Sequence, residues 1–274
     1  MRIPITVLCL SMSFAGAIDA VAASGSFVPL PDCGSLPKGA IAYSTDGQRG
    51  QASQGANALS EPEAKQQWQL LFDGKSLNGW QGFQRKTIPA TWHVADGSLS
   101  VTKWHEGDPM DERGDVRTAA EFGNFELRLQ WAATPNSNSG IFFLAREGVA
   151  ESIFEGAPEL QILDDAHHED GELPSHRAGG LYDLYAPRCN ALRPIGQYND
   201  VRLVVKQGHV EHWLNGYRVL EYQLGTPQWR RQVANSKFKD MPQFGVARSG
   251  FIALQDHGDV IRFRNIRVRS LGDR

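Results

Sequence analysis

The chain from residue 68 onward consists of short runs in which apolar and polar residues alternate. Residues 125–131 alternate in this way, which is typical of a strand with one buried face. Residues 141–144 are continuously apolar and predict a central strand. Two-residue turns separate further runs and predict β-hairpins, at Asp96-Gly97, Gln207-Gly208 and Asn215-Gly216.

About a dozen strands of this kind predict an all-β fold, a two-sheet jelly-roll sandwich with a concave substrate face and one short helix. Residues 226–238 are the only segment with a helical pattern. The last two runs, residues 252–254 and 260–268, are expected to form a pair of neighbouring strands. The absence of an internal repeat argues against a propeller or solenoid.

The first 67 residues have a different texture and divide into two segments. Arg2, an apolar run and the small residues Ala20-Val21-Ala22 predict a cleaved signal peptide at residues 1–23, too short for a spanning helix. Residues 24–66 are predicted to form an extended or partly ordered arm, because they hold few large apolar residues. Residues 67–274 would then form one sandwich domain of a periplasmic or secreted protein.

In an exported protein the two remaining cysteines are candidates for a disulfide. Cleavage of the signal would remove Cys9 and leave Cys33 in the arm and Cys189 in the body. Disulfides persist in oxidising compartments, so we expect these two to join the arm to the sandwich.

Composition and net charge limit the classes of molecule that the protein is expected to bind. The 274 residues are 41% hydrophobic and 22% charged, which indicates a globular protein with a substantial core. The net charge of -3 provides no global basic field for nucleic acid or anionic lipid. We therefore expect neither a nucleic-acid partner nor a membrane span, and the candidate chemistry must come from local polar groups.

Two strands carry polar pairs behind an apolar face. Glu159 and Gln161 alternate with apolar residues in one strand, and Gln255 and His257 lie opposite the apolar face of another. A substrate-lined sheet has this pattern, and so does a solvated outer face. The chemistry of Glu, Gln and His, in place of Lys, Thr and Ser, favours a site.

The loop after residue 163 is dense in metal-ligand types. Asp164 and His168 are the candidate ligands, and oxygen ligands with an imidazole suit calcium, manganese or zinc. The spacing matches no recognised metal motif, so a solvated acidic loop remains the alternative.

Five ordered motifs between Trp68 and Val268 carry a family resemblance. They are residues 71–80 (LFDGKSLNGW), 138–142 (NSGIF), 159–164 (ELQILD), 236–238 (SKF), and 250–258 (GFIALQDHG) with 263–266 (FRNI). Together they resemble the 3-keto-disaccharide hydrolase domain family. The resemblance implies a concanavalin A-like sandwich and an enzyme, exported from the cytoplasm, that cleaves the glycosidic bond of small oxidised sugars.

The resemblance also implies six positions at the concave site, namely Glu159, Gln161, Asp164, Lys237, Gln255 and His257. Of these, Glu159, His257 and Lys237 are the expected catalytic residues. Gln161 and Gln255 are expected to bind substrate, and Asn138, Arg146 and Tyr182 are further candidates for that role. A carbonyl at C3 acidifies the C2 hydrogen, so cleavage can proceed by C2 proton abstraction and β-elimination, followed by hydration. His257 or Glu159 would be the base, and Lys237 or a metal near Asp164 and His168 would stabilise the enolate. A glucoside 3-dehydrogenase would act upstream.

Two other functions remain open on the sequence. A conventional glucanase-type glycoside hydrolase would require a second carboxylate near Glu159, where the strand offers Gln161. A non-catalytic carbohydrate-binding module would require exposed aromatic platforms such as Trp92, Trp104 or Trp213, although strand spacing favours a core position for most of them.

Overall fold

The computed structural model describes residues 28–44 and 56–272, and its strands form two antiparallel sheets. Within those residues the strands are β1 (Gln69–Leu70), β2 (Trp80–Gly82), β3 (Trp92–Ala95), β4 (Ser98–Val101), β5 (Val116–Thr118), β6 (Phe125–Ala133), β7 (Asn138–Ala145), β8 (Glu159–Leu163), β9 (Asn199–Lys206), β10 (His209–Leu214), β11 (Tyr217–Gln223), β12 (Phe251–Leu254) and β13 (Ile261–Ser270). Eight strands form one sheet in the order β11-β10-β9-β6-β13-β4-β3, with β1 beside β13. Five form the other, in the order β2-β5-β12-β7-β8. The prediction of an all-β sandwich is confirmed.

Side-chain alternation explains why the two sheets pack together. On β6, Leu127 and Leu129 enter the main core, and Glu126 and Arg128 lie on the opposite face. On the five-stranded sheet, alternate residues of β7, β8 and β12 fill the same core, among them Ile141, Phe143, Leu160, Ile162 and Ile252. The other face of β7 and β8, which we call the site face, therefore points away from that core.

The hairpins form at the predicted turns. Asp96-Gly97 joins β3 to β4, Gln207-Gly208 joins β9 to β10, and Asn215-Gly216 joins β10 to β11. Both residues of each turn have positive φ, the conformation that matches the right-handed twist of the flanking strands.

One predicted pairing is wrong. Residues 252–254 and 260–268 do not pair with each other, because β12 lies in the five-stranded sheet and β13 in the eight-stranded sheet. The chain crosses between the sheets at Asp256, whose buried carboxylate forms an ion pair with Arg113 and accepts from Thr91 Oγ1 at 2.8 Å. Hydrophobic pattern alone does not show which sheet a strand joins.

The predicted helix is present but shorter, and a second helix was not predicted. Helix α2 (Pro227–Ala234) begins after Thr226, whose side chain accepts from Trp229 N. The earlier helix α1 (Glu61–Lys65) lies within the predicted arm, where Ser60 and Glu63 form a capping box and Glu63 pairs with Arg267 at 2.9 Å. Neither helix, nor any other among the residues described, is long and apolar enough to cross a membrane.

The arm is attached to the sandwich at several points. Cys33 and Cys189 form the expected disulfide, with their Cα atoms 5.1 Å apart. Next to it, Cys33 N donates to Asn190 O at 2.9 Å. The predicted signal peptide, residues 1–23, lies outside the described residues.

Candidate active site

Glu159 and Gln161 lie on the site face at the edge of the five-stranded sheet, on β8. In the β7–β8 register Gly140 is opposite Gln161, and Phe142 is opposite Glu159. A Cβ at position 140 would overlap the Glu159 carboxyl group. Glycine at 140 therefore lets the Glu159 side chain lie across β7.

Glu159 is a buried acid without a close cation. The residue is 6% exposed, and burial raises the pKa of its carboxyl group to about 8. The Lys237 ammonium opposes this increase in pKa, whereas the negative charges of Asp115 and Asp170 add to it. At neutral pH Glu159 is therefore mostly protonated and can donate a proton.

Two amide oxygens on this face have no protein donor. Gln161 is 1% exposed, and its Nε2 donates to Asn138 Oδ1 at 3.2 Å. Its Oε1, like Oε1 of Gln255, is buried without a hydrogen-bond partner among the described residues. A buried acceptor left unpaired costs about 1–3 kcal/mol, so both oxygens are suited to receive hydroxyl donors from a ligand.

Lys237 approaches the same face from the loop after α2. Its Nζ lies 4.0 Å from the ring centroid of Tyr182 and within 5.5 Å of the Phe154 and Phe238 centroids. Desolvation lowers the pKa of this ammonium, and the charges of Glu159, Asp183 and Asp170 oppose the shift. Tyr182 N donates to Glu159 O at 3.1 Å, so Tyr182 and Lys237 lie near Glu159.

A cleft of about 500 Å³ lies next to β5, and Gln255 and His257 line it. No residue of β7 or β8 is among its lining residues in the described part of the chain. His257 is exposed at its rim; partial desolvation lowers the pKa of the imidazole, against the field of Asp259. A neutral imidazole at this position can accept a proton at neutral pH.

Asp115 also lines this cleft, and the sequence analysis missed it. Its Oδ1 accepts from Asp256 N at 2.9 Å, and burial raises the pKa of its carboxyl group to about 7. Asp115 and Arg117 alternate with the buried Val116, the same polar pattern that identified Glu159 and Gln161. That alternation was the available signal.

Arg146 lies elsewhere. It follows the last residue of β7, whereas Asn138 is the first, and its Nη1 donates to Glu121 Oε2 at 2.7 Å. Both partners of this pair are exposed. The structure therefore does not bring Arg146 to Glu159 and Gln161.

The two candidate metal ligands are engaged with protein groups. Asp164 accepts from Asn136 N at 2.9 Å and lies 2.8 Å from His167 Nδ1. His168 Nδ1 accepts from Asp170 N at 3.1 Å. Neither belongs to a set of three metal-ligating residues in the described part of the chain, so a divalent metal here stays a prediction.

One such set does occur, on the other sheet, at His209, Glu211 and Glu221. Both of its carboxylates already pair with Arg218, at 3.0 and 2.8 Å. A cation bound there would be repelled by that guanidinium group, so this cluster does not fit a metal site.

Comparisons with known proteins identify one family model and a curated relative whose names both refer to 3-keto sugars. A family model described as the 3-keto-alpha-glucoside-1,2-lyase-like domain matches residues 67–269. A protein of Bacteroides thetaiotaomicron named 3-keto-disaccharide hydrolase is 37% identical over 224 residues, which cover 73% of this chain and 77% of that protein.

Solved structures agree with the fold. A crystal structure of a presumed glycosyl hydrolase from Parabacteroides distasonis superposes with a TM-score of 0.72 at 29% identity, covering 80% of this chain and all of that one. A second structure of that description from the same organism gives a TM-score of 0.58 at 26% identity, covering 75% of this chain and all of that one.

Proposed function

The chain belongs to the 3-keto-alpha-glucoside-1,2-lyase-like domain family, and we propose that it cleaves the glycosidic bond of 3-keto-glycosides and 3-keto-disaccharides. The observation that carries this proposal is Glu159, a buried carboxyl group with a pKa of about 8 on the site face. Lys237 is near enough for its charge to oppose the rise in that pKa, and Gln161 and Gln255 have unpaired amide oxygens. Elimination from an oxidised sugar requires a base for the C2 proton, an acid for the leaving oxygen and a cation for the enolate, and the amide oxygens can accept from the sugar hydroxyls.

The reaction we propose has three steps. A base removes the C2 proton, which the C3 carbonyl acidifies, and the resulting enolate expels the group bonded to C1. The leaving oxygen takes a proton from an acid. Water then adds across C1 and C2, so that the net result is hydrolysis and the ketone is retained.

The pKa values support a division of roles. His257, whose pKa is lowered, is available as the neutral base for the C2 proton. Glu159, whose pKa is about 8, is the acid that protonates the leaving oxygen. The ammonium group of Lys237 would stabilise the negative charge on the enolate oxygen, the role that an oxyanion hole has in other enzymes.

We also propose that the protein works in the periplasm or outside the cell. The Cys33–Cys189 disulfide supports this location, because cytosolic thiols are kept reduced. An oxidising enzyme of the glucoside 3-dehydrogenase type would supply the substrate, since only a 3-oxidised sugar has an acidic C2 hydrogen.

The test is to incubate the purified protein with a 3-keto-glucoside and with the parent glucoside in D₂O. We expect a transient enone absorbance, deuterium at C2 of the product, and turnover of the oxidised sugar only. Release of the keto-sugar with neither an enone nor C2 deuterium in single-turnover conditions would overturn the elimination mechanism.

A conventional glycoside hydrolase remains the second candidate because Asp115 supplies a second carboxyl group near Glu159. A retaining enzyme needs its second carboxylate ionised as the nucleophile. Burial raises the pKa of Asp115 to about 7, which makes it poorly suited to that role. Equal turnover of the parent glucoside would favour this candidate.

A further inference from the structure

His176 is a buried histidine with an acid on each side. Its side chain is 9% exposed on a short 3₁₀ turn, Pro174–His176. Nδ1 lies 3.2 Å from Asp170 Oδ1, and Nε2 lies 3.0 Å from Asp183 Oδ1. The ring also packs on Tyr182, with the centroids 4.3 Å apart.

Each ring nitrogen of His176 faces a carboxyl oxygen, and the other oxygen of each acid is already an acceptor. The second oxygen of Asp170 accepts from Asn138 Nδ2 and Tyr182 Oη, both at 3.3 Å. The second oxygen of Asp183 accepts from Lys237 N at 2.8 Å. A ring that carries both protons can therefore donate to both acids at once and link them.

The two carboxylates reach different parts of the candidate site. Asp170 holds Asn138, whose Oδ1 in turn accepts from Gln161 Nε2 at 3.2 Å. This chain of contacts fixes the Gln161 amide so that its Oε1 is left unpaired. Asp183 holds the backbone at Lys237 instead, and so places the ammonium above Tyr182.

The backbone at Asp183 supports the same interpretation. Asp183 has a φ of 61°, in the left-handed region that residues other than glycine rarely adopt. Such a conformation persists where the surroundings over-determine it. Here the His176 ring at one carboxyl oxygen and Lys237 N–H at the other hold the residue in place.

We propose that His176 is a positioning residue for the reaction proposed above, on which this role rests. Clamped as an imidazolium between Asp170 and Asp183, it holds the Gln161 amide and the Lys237 ammonium in register across the site face. It touches no substrate itself. Its loss would separate the substrate-binding amide from the enolate-stabilising cation.

The first measurement needs no substrate. In ¹H–¹⁵N correlation spectra of the wild-type protein at pH 7, we expect both ring nitrogens of His176 to carry a proton. A single protonated nitrogen would overturn the clamp. This readout is independent of whether 3-keto-glycosides are substrates, so its failure is distinct from failure of the proposed function.

The second measurement is kinetic and uses His176→Gln, which can donate to one carboxylate only. We expect kcat/KM on a 3-keto-glucoside to fall about 100-fold, with contributions from both KM and kcat, because misplacement of about 1 Å has that effect. The control is His209→Gln, a half-exposed histidine that lies 3.6 Å from Glu211 on the other sheet. It should match the wild type.

Each outcome decides the proposal. A folded His176→Gln protein with a kcat/KM within twofold of the wild type would overturn it. A variant with a reduced kcat/KM and an unchanged melting temperature supports it. If the variant does not fold, the wild-type ring protonation decides: two protons support the clamp, and one rejects it.

Discussion

Two buried glutamates, one on each sheet, have opposite surroundings. Glu126 on β6 has a side chain that is 2% exposed, and its oxygens accept from Arg202 Nε at 2.7 Å and Arg269 Nη2 at 2.6 Å, with Arg128 at 2.8 Å. Glu159 on β8 has no arginine or lysine nitrogen within 4.0 Å among the described residues.

The pKa values follow these surroundings. Burial by itself would raise the pKa of Glu126, but the three arginines lower it below its usual value. At Glu159 burial prevails, and the pKa rises to about 8. A structural acid is thus held ionised by fixed cations, whereas the candidate catalytic acid keeps its proton and can deliver it.

The largest effect should come from Glu159→Gln. Glutamine has the shape of the protonated acid but cannot donate its proton to the leaving group. We expect kcat on a 3-keto-glucoside to fall by about 10²–10⁴-fold in a protein that remains folded, because proton transfer contributes that much. Steady-state kinetics and a thermal melt check this. A kcat within a few-fold of the wild type would remove Glu159 from the chemistry and end the contrast with Glu126.

The next effect should come from Glu126→Ala, which removes the carboxylate that three half-buried arginines share. We expect the free energy of unfolding to fall by about 3–5 kcal/mol, the range for breaking a buried ion pair. The folded fraction should keep its kcat.

Glu61→Ala is the matched control, because Glu61 forms an exposed pair with Lys65 at 2.6 Å. Such a pair contributes about 0.3–0.5 kcal/mol. Urea unfolding of the two variants gives the comparison. A loss below about 1 kcal/mol at Glu126, on the scale of a surface pair, would mean that the arginine cluster is not structural.

Much of the fold could be predicted from the sequence because strands and hairpins are local. The turn Asp96-Gly97 and the alternation of residues 125–131 depend only on neighbouring residues. The assignment of β12 and β13 to different sheets depends on contacts distant in sequence, such as Asp256 with Arg113. Helix α1 was missed although Ser60 and Glu63 form a local capping box, whereas its attachment to the sandwich depends on Arg267, about two hundred positions away.

The residues of the candidate site also differ in whether a local sequence pattern could identify them. Glu159 and Gln161 could be found because they interrupt one apolar strand. Asp170 and Asp183 could not, since their relation to Glu159 and Lys237 exists only once separate loops meet. Asp115 was missed although it alternates with the buried Val116. Glu126 and Glu159 are both glutamates beside apolar strand residues, and the local difference is that Arg128 follows Glu126 where Gln161 follows Glu159. The other two cations at Glu126 are brought from β9 and β13.

The smallest effect per pH unit is also the most direct test of the contrast. Between pH 4.5 and about 8 folded Glu159 keeps a proton that the unfolded chain has lost, so its contribution to the unfolding free energy falls as pH rises. Glu159→Gln should therefore gain stability relative to the wild type across this window, by at most about 1.4 kcal/mol per pH unit.

The pH dependence at Glu126 has the opposite sign. The lowered pKa of Glu126 contributes stability above pH 4.5 that is lost as pH falls, so the stability deficit of Glu126→Ala should shrink in acid. Urea unfolding from pH 8 down to well below pH 4.5 measures both slopes, and parallel curves for the wild type and Glu159→Gln would show that Glu159 ionises normally.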